Sequence, residues 1–218
     1  DKLGRDLFAR VCVGGRVSME IGIIGALITT VIGAIYGAIS AYVGGVVDSV
    51  MMRIVEIISS IPYMIVVIML SLMLGSSGVG SVMLALCIVG WCPTARLVRG
   101  QVLQLVGSDY IVAARTLGVS DFKIIMRHML PNTMSVIIVN LTFRIPNYIF
   151  SEAFLSYVGL GISAPDTSWG MLASAGKETM FTEPYMMIFP ALMIALTMLS
   201  FTLFGDGLRD ALDPKLRR

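Results

Sequence analysis

Charge is scarce in this chain. Only 14% of its 218 residues are Asp, Glu, Lys or Arg, where an average soluble domain has roughly 25%. Between Ile57 and Ala95, 39 consecutive residues include no Asp, Glu, Lys, Arg or His. A water-soluble fold has nowhere to hide the 56% of side chains that are hydrophobic. The uncharged run alone is long enough for two membrane-spanning helices of about 20 residues each. Histidine is nearly absent too: His128 stands alone, with no His-Glu-x-x-His and no acidic, Ser or Cys neighbour set out for catalysis, so an intramembrane enzyme finds no support. The three cysteines, Cys12, Cys87 and Cys92, lack the paired spacing of a zinc or redox motif and are assigned to apolar packing. A net charge of +2 offers no nucleic-acid surface. The opening Asp1-Lys2-Leu3-Gly4 is neither a signal peptide nor an initiator sequence, and the chain is expected to be a piece of a longer protein.

What is present is an all-α pattern of five apolar stretches: 17–43, interrupted by Glu20 near its start, 57–74, 81–95, 131–150, which holds Arg144, and 185–204. They must be helical, because lipid offers no partner for an unpaired backbone group and five strands cannot close a barrel. The first is rich in small residues, and Gly33-x-x-x-Gly37 with Ala34-x-x-x-Ala38 puts them on one face, where a second helix can come close. The cluster Gly75-Ser76-Ser77-Gly78-Val79-Gly80 lacks the Lys-Ser/Thr of a phosphate-cradling loop and reads as a tight turn between spans.

Alternation puts 44–56, 96–130 and 205–218 on one side and 1–16, 75–80 and 151–184 on the other. The 96–130 segment carries Arg96, Arg99, Arg115, Lys123 and Arg127 against Asp109 and Asp121, whereas 151–184 carries Lys177 against Glu152, Asp166, Glu178 and Glu183. The positive-inside rule places 96–130 and the C-terminus in the cytoplasm. Lys2, Arg5, Arg10 and Arg16 on the outer side disagree, and a further span upstream would account for them.

The 96–130 segment is the most informative. Ser108 and Asp109 are N-cap residues ahead of 110–117, and Gly118 stands where a helix would stop in a left-handed conformation. Ser120-Asp121 then cap a second helix, 122–130, which Pro131 ends as the next span opens. Two helices this short need something to pack against. Ile111, Val112, Leu117, Phe122, Ile124 and Ile125 suit an amphipathic element docking into a partner's groove; the alternative is that the pair lies on the bilayer or caps its own bundle.

Ala113-Ala114, then Gly118, then Leu130-Pro131 resemble the EAA signature of ABC importer permeases, Glu-Ala-Ala-x3-Gly-x9-Ile-x-Leu-Pro, with Val112 at the Glu position and His128 at the Ile position. Leu3 to Arg10, Gly15 to Ser18, Ala41 to Asp48, Glu152 to Gly161, Ser168-Trp169-Gly170 and Gly205 to Lys215 resemble the C-type permeases of oligopeptide, dipeptide and nickel importers. The resemblance covers essentially the whole chain. It implies a type I ABC importer transmembrane fold in a bacterial or archaeal cytoplasmic membrane, with one N-terminal span missing from these 218 residues. It implies one permease domain over 1–218, a coupling loop at 108–130 and an extracytoplasmic hairpin at 151–184. The coupling contacts would be Ala113, Ala114, Gly118, Val119, Ser120, Asp121, His128, Leu130 and Pro131. The implied partners are two ATPase subunits, which bind the ATP and magnesium that this chain does not, a second, different permease, and an extracytoplasmic binding protein. The cargo would be a peptide or a nickel complex.

Inside the spans Arg144 stands out, 13 positions after Pro131 and so deep in hydrocarbon, where a cation pairs with a carboxylate or faces water. Glu20 is the expected partner; alternatively Arg144 lines the passage and meets the carboxylate of a peptide, or it snorkels. Pro146 is expected to bend its helix, and Arg53 and Glu56 to pair three residues apart. The hairpin 151–184 covers the outer gate or touches a delivery protein, with its Trp and Tyr side chains alternatively serving as interface anchors. The sixteen methionines are filler or a surface tolerant of varied cargo. The competing class is an ion-coupled secondary transporter, for which Glu20 is the acidic candidate.

Overall fold

A computed structural model describes residues 4–75 and 78–212. Ser76 and Ser77 of the expected glycine-rich turn, and 213–218 of the C-terminal stretch, lie outside the described residues. All regular structure among the described residues is helical.

The spine is α1 (Leu7–Val43), 37 residues long. It begins ten residues before the expected Val17 because Asp6 caps it, accepting from the Phe8 amide at 2.8 Å. Its small residues form a stripe that serves three neighbours in turn. Gly14 and Gly15 lie against Ser168 and Trp169, Gly22 and Gly25 against Ile149 and Tyr148, and Gly33 and Gly37 against the backbone from Trp91 to Arg99. Each removes the Cβ that would hold two helices apart, the packing that small residues permit in lipid.

The chain turns at Gly44 and Gly45, both at positive φ, into α2 (Gly45–Ser60), which stops at Ile61-Pro62 before α3 (Tyr63–Leu74). The two axes differ by 83°, so the expected second span is broken at a proline that has no N–H to continue the helix. Next come α4 (Val79–Gly90) and α5 (Cys92–Leu105), which together form one apolar span. A hairpin follows: α6 (Asp109–Thr116), α7 (Asp121–Ile124), a π-helical turn over Ile125–Met129 and α8 (Leu130–Asn132). After a 68° bend, α9 (Met134–Tyr157) runs unbroken through Pro146. The break in this span therefore lies at Thr133. The wide turn ahead of Pro131, where the Leu130 amide reaches back to the Ile125 carbonyl, makes room for a residue with no N–H and a ring that crowds the preceding turn. Then come α10 (Trp169–Lys177) and α11 (Tyr185–Leu212).

Among the described residues three helices are long and apolar enough to cross a membrane, and each bent pair counted as one span brings the total to five. The chain is a multi-pass membrane protein. One core gathers α1, α4, α9 and α10; a second joins the far half of α1 to α5 and the hairpin. Of the cysteines, Cys87 and Cys92 are buried as expected, but Cys12 is exposed, two positions from Gly14 and so turned away from the packed stripe.

Candidate functional site

The hairpin takes its shape from one glycine. Gly118 has φ of +74°, the left-handed conformation that residues with a Cβ resist. Its amide bonds the Arg115 carbonyl at 3.1 Å, and the Val119 amide bonds that of Ala114 at 3.1 Å, the paired bonds of a Schellman stop. Ser108 and Ser120 hold the extended N-cap positions of α6 and α7. Neither side chain caps, however, and the Ser108 hydroxyl donates back to the Leu105 carbonyl at 2.6 Å.

The apolar positions expected to dock outward divide into two faces. Ile111, Ile124 and Ile125 are buried, packed with Ala38, Val98 and Val102 of the bundle. Leu117 and Phe122 are 83% and 74% exposed, and Val112 is exposed beside them. The expected coupling residues divide likewise. Ala113, Gly118, Ser120, Asp121 and Pro131 are exposed, and Val119 and His128 half-buried, whereas Ala114 and Leu130 point into the core. Those two residues hold the hairpin on its own bundle and offer a partner nothing.

The anchors beneath the hairpin come from distant parts of the chain. The Tyr42 hydroxyl, near the end of α1, donates to Asp121 Oδ1 at 2.5 Å, and the Arg115 guanidinium lies 4.7 Å from the centre of the Tyr42 ring. Asp121 thus fastens the loop to α1. Beside it, Arg99 of α5 grips Asp48 through Nε and an Nη at 2.6 and 2.5 Å, and the Ser40 hydroxyl donates to the same carboxylate at 2.5 Å. Asp48 stands one turn past the Gly44–Gly45 corner. Arg53 and Glu56 pair at 2.8 Å on an exposed face, as expected.

The opposite end of α1 is clasped differently. Glu152, counted in the sequence as a loop charge, is fully buried. It accepts from the Ser18 hydroxyl at 3.0 Å and the Ser156 hydroxyl at 2.8 Å. Ser18 in turn accepts from the Trp169 amide at 3.2 Å, and the Trp169 indole donates to the Val11 carbonyl at 2.9 Å. Trp169 is a core residue, not an interface anchor.

Between these two ends lies a cavity of about 520 Å³ at the α2–α3 break. Arg144 lines it, and here the expected Glu20 partnership fails. Glu20 is bonded to Arg16 at 2.8 Å on an exposed surface. It precedes Gly22 by two residues, which turns it by about 200° from the face that meets α9. Arg144 instead donates to the Gly90 carbonyl where α4 ends, and its buried Nε–H has no acceptor.

Residues 22–218 match the family of binding-protein-dependent transport system inner membrane components. The whole chain aligns with a dipeptide transport system permease protein of Bacillus subtilis at 49% identity, covering 68% of that protein. It aligns with an oligopeptide transport system permease protein of Escherichia coli K12 at 45%, covering 72%, and with a glutathione transport system permease protein of Escherichia coli O1:K1 at 42%, covering 71%. Its fold is similar to that of a chain of the MetNI methionine ABC transporter in an inward-facing form, with a TM-score of 0.74 over 94% of this chain and 97% of that one, at 18% identity. A family match over nearly all of the residues, with relatives this similar end to end, settles the assignment: the chain belongs to the binding-protein-dependent transport system inner membrane components.

Proposed function

We propose that this chain is the permease subunit of an ATP-driven importer of peptides, forming part of the translocation path and coupling it to separate ATPase subunits. The observation that carries this reading is the hairpin: a rigid helix pair, anchored on α1, that turns Leu117 and Phe122 to the outside. Apolar side chains so exposed on an ordered element mark a docking surface. The relatives named for dipeptide, oligopeptide and glutathione transport support a peptide cargo over a nickel complex. One of two ATPase subunits, which bind ATP and magnesium, would seat the outer face of the coupling loop 108–130; a second permease and an extracytoplasmic binding protein would complete the complex. The basic segment 96–130 and the C-terminus would be cytoplasmic, with 151–184 on the far side. Glu20, on which the ion-coupled alternative rested, is engaged by Arg16.

The test is co-purification of the full-length protein with its candidate ATPases, comparing Gly118→Val with the parent. A Cβ at Gly118 would meet nothing within 4 Å, so the penalty is the backbone's alone, about 1–2 kcal/mol for a left-handed non-glycine residue. About tenfold weaker ATPase binding is expected. Parent-like binding by Gly118→Val would remove the hairpin from the interface.

A further inference from the structure

The cavity at the broken span has a charge imbalance that the fold leaves unanswered. Its lining includes Arg96 and Arg144 and no acidic side chain. Arg144 is the eleventh of 24 residues in α9, about 15 Å from the start of that helix and about 20 Å from its end, too deep for its cation to be hydrated at a membrane surface. One arm of its guanidinium is bonded to the Gly90 carbonyl and its Nε–H is unmatched. The helix ends around it do not restore balance. Arg96 reaches the Val55 carbonyl at 3.5 Å, beside the negative end of α2, whereas Pro62 and Tyr63 bring the N-terminus of α3 to the same cavity. The first amides of that helix have no intrahelical acceptor and carry its positive pole. A half-buried cation whose Nε–H is buried and unmatched, beside a positive helix end in a space of about 520 Å³, is a site for an anion, and its volume is that of a small-molecule pocket.

We infer that this cavity is a carboxylate site on the translocation path, and that Arg144 engages the main-chain carboxylate of a peptide in transit. The inference rests on the peptide-importer reading. An arginine fork matches a carboxylate and binds it with charge-assisted hydrogen bonds. The hold on Gly90 gives the guanidinium an acceptor to return to when the cargo leaves, so the contact is reversible. An anionic lipid headgroup has the same charge, but mid-span depth separates Arg144 from the headgroup layer.

The experiment uses the full-length permease assembled with its second permease, ATPases and binding protein in proteoliposomes. ATP-driven uptake of dialanine is compared with that of dialanine amide in the parent, Arg144→Gln and Asn147→Asp. The binding protein's own preference cancels when the acid-to-amide ratio of each variant is divided by the parent's. Loss of one charge-assisted contact should lower that ratio about tenfold in Arg144→Gln. Asn147, one turn along α9 and also lining the cavity, supplies a second variant: an aspartate there competes for Arg144 and should lower the ratio as well, even if Arg144→Gln does not assemble. An unchanged ratio in the variants that assemble, including a parallel fall of both cargoes, would overturn the inference and leave Arg144 as a prop for the Gly90 carbonyl. So would a variant whose only change is its response to anionic lipid in the vesicles. Failure of the parent to take up either peptide would instead refute the importer reading.

Discussion

Replacing Gly37 by alanine adds one methyl group, and its surroundings determine the outcome. The new Cβ would stand 2.2 Å from the Ala95 carbonyl oxygen and 2.9 Å from the Arg99 amide nitrogen, where ordinary contact begins at 3.4 Å. Both atoms belong to the backbone of α5 and cannot swing aside, so the two helices must separate by roughly 1 Å, enough to forfeit a quarter to a half of the dispersion attraction along the seam. Overpacking of this kind costs about 1–3 kcal/mol, and backbone against backbone belongs at the upper end. The better helix propensity of alanine returns about 0.5–1 kcal/mol, leaving a net loss of about 2 kcal/mol. Gly100, on the same helix, is the control: a Cβ there meets nothing within 4 Å, so Gly100→Ala keeps the propensity gain without the clash. Thermal unfolding of the full-length protein in detergent should show Gly37→Ala melting about 4–8 °C below the parent and Gly100→Ala at or slightly above it. A Gly37→Ala protein that melts with the parent would mean that α1 and α5 do not meet backbone to backbone, and the placement of the Asp48–Arg99 bridge at the end of that seam would fall with it.

The hairpin's anchor predicts a separable effect. Tyr42→Phe removes the bond to Asp121, about 1.5–3 kcal/mol for a charged acceptor, and hydrogen exchange over 109–124 should quicken while α4 and α10 keep the parent's protection; uniform change would place the anchor elsewhere. At the other end, Glu152→Ala strands the Ser18 and Ser156 hydroxyls and opens a void, at a cost of about 3 kcal/mol or more, whereas Glu152→Gln keeps an acceptor and should lose less than half as much. Equal losses of melting temperature in the two variants would show that the side chain fills space and carries no network.

The spans were legible because an apolar run of the right length has one solution in lipid, and the glycine stop at Gly118 because a glycine between two short helical patterns suits a left-handed stop. The pairing within helices was legible too, as with Arg53 and Glu56, since three residues fix the geometry. What escaped the sequence were contacts made across the fold. Tyr42 and Asp121 lie 79 positions apart, Asp48 and Arg99 51, and Ser18 and Glu152 134; no periodicity encodes such pairs. The same gap produced the wrong partner for Arg144: Glu20 sits at a compatible depth, but its rotation about α1 is fixed by glycines whose neighbours the sequence does not name. Glu152 was counted among the charges of the outer segment because the fourth apolar stretch was ended at Phe150; glycines and a proline follow it. Those residues in fact let the 158–168 segment fold back, with the Ile162 amide bonding the Ser156 hydroxyl at 3.0 Å, and that return closes the site over the carboxylate.

The two clasps on α1 differ in a way that bears on motion. At the Glu152 end, a carboxylate, two hydroxyls and two backbone amides, all buried, are satisfied within one network, so opening the clasp would strand polar groups in an apolar interior, a cost of several kcal/mol. At the Tyr42 end the partners are ionic and partly exposed: Arg99 and Asp48 keep 32% and 14% of their side-chain surface, and Asp121 is open to water. Bonds of that kind exchange with solvent at a smaller cost, about 1.5–3 kcal/mol for the Tyr42–Asp121 bond. A force applied to the hairpin therefore finds a yielding joint where α6 and α7 meet α1 and a stiff one where α10 meets it. With Gly33 and Gly37 locking α5 to the spine between them, α1 and α5 would move as one body about the Glu152 end. The Arg144 cavity, lined by α9 on one side and by the α2–α3 and α4–α5 breaks on the other, lies where such a rotation would change its width.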